Sequence, residues 1–420
     1  MNNYTMETYE MKREIVNFTK KMTKGLNKTT GNFLLDMQFG ISASKSVLIS
    51  DVARSLKEDI KLSYTIERLC NNLSSLSQEE AIKIKQNYYE EMCKLLPEEP
   101  VVILDDTDIA KRYGKKFEDL DRVIDGSSIK GEVVPGYNVC EAVVLSAKEK
   151  QPISLYSQIY SCKSDNFISK NTYTHESINT VKNIINRKAT YVFDRLYDDN
   201  KIYDLVDKNN DYFIVRVQDK RTLLFKGKRR KSSEVASSRK GKIIMKLDFS
   251  EERKEVLLSH TRVVLPYNQK EYTLVIVYGL SETKPMMLLT NRTIKRKEDV
   301  IRTVRLYMYR WRVEDYFRAK KQEFKFENMR VRSLKAMNNL NLMLQLRMGH
   351  LAYLGEKINS SILCTKIRYR SKSLKNKVCL WFNQLSRGIK AILEYAKTGI
   401  QNYKYIETRP ENKQLALKLE

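Results

Sequence analysis

Three acidic residues in this sequence lie where phosphodiester chemistry would need them. Asp106 follows a short apolar run, 101–104, and is one of three acids within four residues. Asp194 ends a second apolar run, and Glu314 lies in a segment with helical periodicity. Enzymes that cleave or transfer phosphodiesters often use two divalent ions about 4 Å apart, held by carboxylates from separate elements. The sequence therefore predicts that Asp106, Asp194 and Glu314 are catalytic residues and metal ligands.

Each aspartate alone also fits a plainer role. An aspartate after a strand commonly forms a solvated turn, and Asp108 could cap a helix. The interpretation as a catalytic set depends on the three acids occurring together and in this order.

The segment around Glu314 carries further polar residues at regular spacing. Arg310, Glu314 and Lys321 follow Tyr307 by three, seven and fourteen residues. At about 100° per residue these four positions fall within an arc of roughly 60° on one predicted helix. An apolar stripe that includes Ile301 lies on about the opposite side, so we predict that the four share a face away from the core. A solvated charged face would show the same pattern.

The cysteines and histidines do not predict a zinc site. The six cysteines are scattered without a C-x-x-C motif, and the three histidines are far apart in the sequence. Reduced thiols are the expected state of such cysteines. A catalytic metal would then have oxygen ligands, which favours Mg²⁺ or Mn²⁺, and we predict two such ions.

The net charge indicates a nucleic-acid partner. Lys and Arg total 77 against 51 Asp and Glu, a formal charge of +26. Such a field attracts polyanions, and double-stranded DNA is the predicted partner. The most basic run, 226–231 (KGKRRK), is predicted to be a loop in which Lys228, Arg229 and Arg230 contact the DNA backbone. A flexible solvated loop is the alternative.

No membrane association is expected. No apolar run approaches the roughly 18 residues that a bilayer-spanning helix needs, and the first 28 residues lack the apolar stretch of a signal peptide. The protein is therefore expected to remain in the cytoplasm.

Apolar periodicity predicts an α/β protein with helical ends. Short strands alternate with helices after Pro100, and strands dominate from Tyr212 to Asn291. A late apolar stripe from Leu334 to Leu351 would pack internally or against a second subunit. The predicted regions are a helical DNA-binding region (1–97), the first part of a catalytic core (98–210), a β-rich stretch (211–291), the core helix with Glu314 (292–350) and a helical C-terminal region (351–420). The first region could equally be a helical bundle of another purpose.

Three motifs in order carry a family resemblance. YMYRWRVEDYFRAKK matches the Y-x2-R-x3-E-x6-K signature of bacterial cut-and-paste transposases of the insertion-sequence-four family, which are DDE transposases. LDDTDI resembles the first-aspartate motif of that family, in which the acid before Thr is catalytic. That acid is Asp106 rather than Asp105. VFDRLYD resembles the second motif and identifies Asp194.

The resemblance implies a fold, a reaction and roles for the neighbouring residues. The fold would be a ribonuclease-H-like catalytic core interrupted by a β-rich insertion. The enzyme would use two divalent ions to cleave DNA at the ends of an insertion sequence and would join the freed 3′-hydroxyl to target DNA. Arg310 and Lys321 would clamp phosphates, and Tyr307 would position the backbone or Arg310. Two active sites would act together, so a homodimer is expected in the synaptic complex, at the bacterial nucleoid.

Two other functions fit the same residues. One is a nuclease or resolvase of the same fold that hydrolyses DNA without joining strands. The other is a domesticated relative that binds DNA and no longer cuts. The sequence leaves open the terminal repeat, the target preference and whether a hairpin intermediate forms.

Overall fold

Five helices begin the chain, in the region that the apolar periodicity predicts to be helical. The computed structural model describes residues 3–126, 128, 131–249, 252–281, 284–372 and 381–406. Side chains fix where several helices begin: Asn27 accepts a hydrogen bond from the Thr30 amide, and Ser77 and Glu80 form a capping box. The five helices are α1 (Asn3–Met22), α2 (Lys28–Ser44), α3 (Ile49–Leu56), α4 (Leu62–Ser75) and α5 (Gln78–Cys93).

A mixed sheet follows, so the protein is of the mixed α/β class. Its first six strands are β1 (Val101–Ala110), β2 (Asp121–Ile124), β3 (Val133–Leu145), β4 (Pro152–Tyr160), β5 (Thr190–Phe193) and β6 (Tyr212–Arg216). β3 pairs antiparallel with β1, β2 and β4, whereas β5 lies parallel between β1 and β6. The parallel crossovers contain α6 (Lys170–Ile185) and α7 (Asn200–Lys208).

The first strand is longer than the sequence predicts. The apolar run predicts a strand over 101–104 that ends before the acids, but β1 continues through them to Ala110. The cause is β3, which pairs with β1 from Val102↔Val144 to Ala110↔Gly136. Asp105 and Asp106 are therefore strand residues within an antiparallel pair, and not turn residues.

The remaining strands extend the same sheet. β12 pairs with β6, and the path then runs through β11, β10 and β7 to β8. β9 pairs with β10 beside this path. These strands are β7 (Thr222–Phe225), β8 (Lys228–Lys231), β9 (Ile243–Phe249), β10 (Glu252–Val264), β11 (Glu271–Tyr278) and β12 (Met286–Thr290), with α8 (Ser232–Ser237) between β8 and β9.

Helices form the described part of the chain after β12, as predicted. They are α9 (Lys297–Met308), α10 (Trp311–Arg318), α11 (Leu334–Glu356), α12 (Ile362–Arg370), α13 (Trp381–Glu394) and α14 (Gln401–Ile406). The predicted C-terminal helical region also covers 373–380 and 407–420, which lie outside the described residues.

α11 joins the two ends of the chain in one apolar core. Met337, Leu340 and Leu351 of its predicted stripe are buried within the protein. Gln38 of α2 donates to the Met343 carbonyl at 2.8 Å, and Asn339 donates to the Leu73 carbonyl at 2.9 Å. Within the single chain, the stripe therefore packs internally, which decides between the two alternatives left by the sequence.

The described cysteines are unpaired, as their scattered positions in the sequence predict. Cys70, Cys93, Cys140, Cys162 and Cys364 are free thiols, while Cys379 lies outside the described residues. None of the helices in the described ranges is long and apolar enough to cross a membrane.

Candidate functional site

The site begins where the long strand β1 extends beyond the end of its short neighbour β5. β5 pairs with β1 only from Val101↔Thr190 to Ile103↔Val192. Continuing this parallel register by two residues places Asp105 beside Asp194, the first residue after β5. Aligned residues of parallel strands face the same side of a sheet. The register therefore brings Asp105 and Asp194 together on one face.

Arg310 joins that face to Glu314. Its guanidinium lies 3.2 Å from the Asp105 carboxylate and also hydrogen-bonds the Glu314 carboxylate, four residues along the chain. Burial lowers the pKa of Arg310, but Glu314 and Asp105 together raise it above its ordinary value. Arg310 is thus a cation shared by two acids of the site.

Tyr307 contacts the second aspartate. Its hydroxyl lies 3.5 Å from Asp194 Oδ1, and the side chain is buried. Burial and the charge of Asp194 raise the pKa of Tyr307 to about 12, so the phenol stays protonated and can donate to Asp194. Tyr307 therefore contacts Asp194, while Arg310 contacts Asp105 and Glu314.

Asp105 is a strongly perturbed acid. Burial raises its pKa to about 7, Arg310 opposes that rise, and the nearby Asp106 and Asp194 add to it. Carboxylates close together in a partly buried position repel each other, and a cation relieves that repulsion. The electrostatics favour a cation among these acids.

Asp106 faces the other side of the sheet. Consecutive strand residues alternate, and Asp106 lies opposite Cys140, on the side covered by α6. Its carboxylate reaches solvent, yet protein surrounds it closely enough that burial raises its pKa, while Cys140, Tyr197 and Lys170 lower it. The structure thus places Asp105, and not the predicted Asp106, in contact with Arg310 of the Glu314 segment.

The segment from Tyr307 to Lys321 is not the single helix that the sequence predicts. α9 ends at Met308, α10 begins at Trp311, and a π-helical turn follows over Ala319–Glu323. The break arises because Arg310 and Val313 donate to carbonyls three residues back, which tightens the turn. The predicted common face away from the core is also wrong for Tyr307, whose side chain is buried.

Glu314 and Lys321 consequently lie in different surroundings. The Glu314 side chain is half exposed on the first turn of α10. Lys321 lies in the π-helical turn, where its Nζ contacts Asp108 at 3.2 Å and Glu327 at 3.1 Å. Glu314 is therefore available to a ligand from solvent, while Lys321 is held by two acids.

A buried ion pair that sequence reasoning missed anchors this turn. Lys320 Nζ lies 2.9 Å from Glu141 on β3 and 3.0 Å from the Asn341 side chain of α11. Glu141 also accepts hydrogen bonds from Ser154 and from Ser157 of β4. A lone glutamate within the apolar strand sequence VCEAVVL was the available signal, since a buried acid needs a partner.

The basic run is a β-hairpin and not the loop that the sequence predicts. β7 and β8 pair from Thr222↔Lys231 to Phe225↔Lys228, and Lys226 and Gly227 form the turn with positive φ. The side chains of β8 are exposed, including those of Arg229 and Arg230. β8 is the last strand in the sheet order, in which β1 is the third, so the basic residues and the acids lie on different strands of one sheet.

The acids suit a divalent ion by their donor chemistry. Hard cations prefer carboxylate oxygens, and such an ion would relieve the repulsion that Asp106 and Asp194 exert on Asp105. Across the described residues, no group of three His, Cys, Asp or Glu side chains is arranged to hold a metal. Arg310 instead bridges Asp105 and Glu314, so an ion there would have to displace one of its two contacts.

A match to one family model assigns the chain to a family. The family model described as "Transposase DDE domain" matches residues 96–347, more than half of the chain. A cryo-EM structure of the piggyBac transposase synaptic complex with hairpin DNA is similar at a TM-score of 0.44 and 12% identity, over 96% of this chain and 85% of that one. A search of curated proteins found no match.

Replacing Lys320 by Met should destabilise the protein, because Glu141 would remain buried without its cation. Loss of one partner of a buried ion pair typically costs about 3–5 kcal/mol. Urea unfolding followed by circular dichroism measures the change in the free energy of unfolding. The double variant Glu141→Gln with Lys320→Met should recover part of the loss. Lys321→Met, one residue along, is the control and should cost less because Lys321 is partly exposed.

Proposed function

The chain belongs to the transposase DDE domain family and is a DNA transposase, and we propose that Asp194, Glu314 and one aspartate of β1 form its catalytic set. DNA is its substrate, and the reaction cuts DNA at the ends of a mobile element and joins those ends to target DNA. The contacts of Arg310 and Tyr307 carry the proposal, because they draw acids from β1, β5 and α10 to one face of the sheet.

A ribonuclease-H-like core is the fold we propose for the catalytic part. Its sheet would be β4-β3-β1-β5-β6, with the first three strands antiparallel and the last two parallel. The predicted insertion at 211–291 begins with β6, which pairs with β5. We therefore propose that the inserted part proper starts after β6 and returns at β12. The N-terminal helices are proposed to bind DNA, together with Lys228, Arg229 and Arg230.

Divalent metal ions are the cofactors that DDE transposases use, and we propose that two Mg²⁺ or Mn²⁺ ions act here. Asp194, Glu314 and the β1 aspartate would hold them. When bound, such ions activate the attacking oxygen and stabilise the leaving one.

The protein's own residues position the DNA strand. Arg310 offers a planar pair of donors that matches a phosphate, so a phosphate could replace one of its two carboxylates. Tyr307 donates to Asp194 and fixes its orientation. Lys321 would contact phosphate as a point charge once DNA competes with Asp108 and Glu327.

The geometry favours Asp105 as the β1 aspartate. The motif resemblance indicates Asp106, but Asp105 contacts Arg310 and shares a face with Asp194 by register. Asp106 faces Cys140 and the N-terminal end of α6 instead. Both assignments predict the same chemistry and differ in one residue.

The protein is proposed to act on nucleoid DNA in the bacterial cytoplasm, as a transposase of the insertion-sequence-four family would. The inverted repeats that flank the gene would supply the natural element-end duplex for each of the assays below.

Replacing Glu314 by Gln should reduce cleavage of element-end DNA by about a thousandfold or more while leaving DNA affinity nearly unchanged. The change removes a carboxylate but keeps the size of the side chain. Asp315→Asn is the matched control, since it makes the same change one residue along, where Asp315 pairs with Arg318 at 2.8 Å. Equal loss in both variants would make Glu314 structural. Hydrolysis by the wild type without strand joining would indicate a nuclease, and DNA binding without any cleavage a domesticated relative.

Asp105→Asn and Asp106→Asn should separate the two candidates on β1. We expect Asp105→Asn to abolish cleavage and Asp106→Asn to retain it, because only Asp105 faces Glu314. Gel assays of element-end cleavage give the comparison, with fluorescence anisotropy as the measure of DNA binding. The reverse result would restore the assignment that the motif indicates.

We propose that two copies of the chain act in one DNA complex, since synapsis of two ends needs two active sites. Light scattering coupled to size-exclusion chromatography should give the mass of two chains per complex with element-end DNA. Complete excision by a complex that contains one chain would rule this out.

A further inference from the structure

The two faces of the basic strand β8 differ. Residues opposite each other in an antiparallel pair share a face, so Lys228 lies with Phe225 and Arg230 lies with Leu223. Leu223 and Phe225 are buried, which places Lys228 and Arg230 on the inner face of the hairpin. Arg229 and Lys231 lie on the outer face. Strand β8 thus carries two pairs of cations that point in opposite directions.

The inner face borders a cavity, which we call the hairpin cavity. Its volume is about 270 Å³. Its lining consists of Phe225, Lys226, Lys228, Arg230, Ser238 and Arg239. Four of these six residues are cations and none is an acid. Two of the six, Ser238 and Arg239, lie in the segment after α8, so two separate parts of the chain converge on this cavity.

Arg239 makes one hydrogen bond to the backbone and keeps an unpaired donor atom. It donates to the His260 carbonyl at 3.0 Å, which fixes its guanidinium. Its Nε is buried and has no hydrogen-bond partner among the described residues. A buried charged donor without an acceptor is costly unless a ligand supplies one. Arg239 lines the hairpin cavity, so an anion bound there is a candidate for that acceptor.

Protection of a sheet edge does not account for this arrangement. β8 ends the sheet order, and charged side chains on an edge strand discourage pairing with another chain. That role requires neither a cavity nor convergence of cations from two segments. Lys226, Lys228 and Arg230 form no ion pair with an acid in the described parts of the chain, so their charges are available to a ligand.

We propose that the hairpin cavity binds a backbone phosphate of DNA, with Lys228, Arg230 and Arg239 as its main contacts. The inference rests on the proposed function for the choice of DNA over other phosphates. The volume lies just below the roughly 300–1,000 Å³ of small-molecule sites, which suits a phosphate with its adjoining sugar. Arg229 and Lys231 do not line the cavity, and they would act on DNA through general positive charge.

The test compares two double variants of the full-length chain that lose the same charge. Lys228→Ala with Arg230→Ala removes the inner pair, and Arg229→Ala with Lys231→Ala removes the outer pair. Random-sequence duplex DNA is the probe, and fluorescence anisotropy over a series of NaCl concentrations gives affinity and its salt dependence. The inner variant should bind about tenfold more weakly or worse, with a salt slope reduced by roughly 1–2, since each phosphate contact contributes about 0.9. The outer variant should lose much less of both.

Exchange of the two inner residues tests charge against shape. Lys228→Arg with Arg230→Lys keeps both cations and should retain most of the affinity. If the inner and outer variants lost DNA affinity equally, diffuse charge would explain the binding and the proposal would be overturned. If neither lost affinity, the proposal would also fail, and protection of the sheet edge would remain as the role of the β8 cations. If the inner variant lost stabilisation by inorganic phosphate in thermal unfolding but kept its DNA affinity, the site would bind a free anion and the DNA assignment would fail.

The result of the hairpin test can be distinguished from the result of the test of the proposed function. The hairpin test measures binding and needs no cleavage, whereas Glu314→Gln tests cleavage and needs no hairpin. Normal DNA binding by the inner variant, with cleavage still dependent on Glu314, would remove only the hairpin cavity. If Glu314→Gln left cleavage unchanged, but the inner variant bound DNA more weakly than the outer variant, the hairpin cavity would stand and the proposed catalytic set would fail.

Discussion

Charge balance among closely placed carboxylates is the constraint on which the site depends. Burial raises the pKa of Asp105 to about 7, and the charges of Asp106 and Asp194 add to that rise while Arg310 opposes it. Such acids are kept together only if cations compensate them. Arg310 does so by bridging Asp105 and Glu314. The same cation is the natural contact for a phosphate, so ligand binding and the charge balance of the site are coupled through one side chain.

The second requirement is a rigid attachment of the helix that carries Glu314. α10 is short, and the π-helical turn after it would be a weak support alone. Lys320 ties that turn to Glu141 of β3 and to Asn341 of α11 in the buried interior. Glu141 lies opposite Asp105 in the β1–β3 register. The two acids thus face the same side of the sheet. Glu141 pairs with Lys320, and Asp105 pairs with Arg310.

The distribution of charge over the whole chain fits these local features. A formal charge of +26 attracts DNA, yet Asp105, Asp194 and Glu314 place negative charge at one face of the sheet. DNA phosphates and carboxylates repel each other, and a divalent cation between them removes that repulsion. The cations of the hairpin cavity lie on the last strand of the sheet, away from the acids in strand order. The proposed phosphate contacts of β8 therefore lie on a different strand from the acids of the proposed catalytic set.

Much of this organisation could be predicted from the sequence alone. The helical first region, the strands after Pro100, Asp194 at a strand end and the positive field follow from local periodicity and composition, which act over short stretches of chain. Tertiary structure decided the rest. Whether Asp105 or Asp106 shares a face with Asp194 depends on the register of β1 with β5, because neighbouring strand residues point to opposite faces. The break between Tyr307 and Glu314, the pairing of Lys320 with Glu141 and the two faces of β8 all arise from contacts between residues distant in sequence, which periodicity within one segment does not contain.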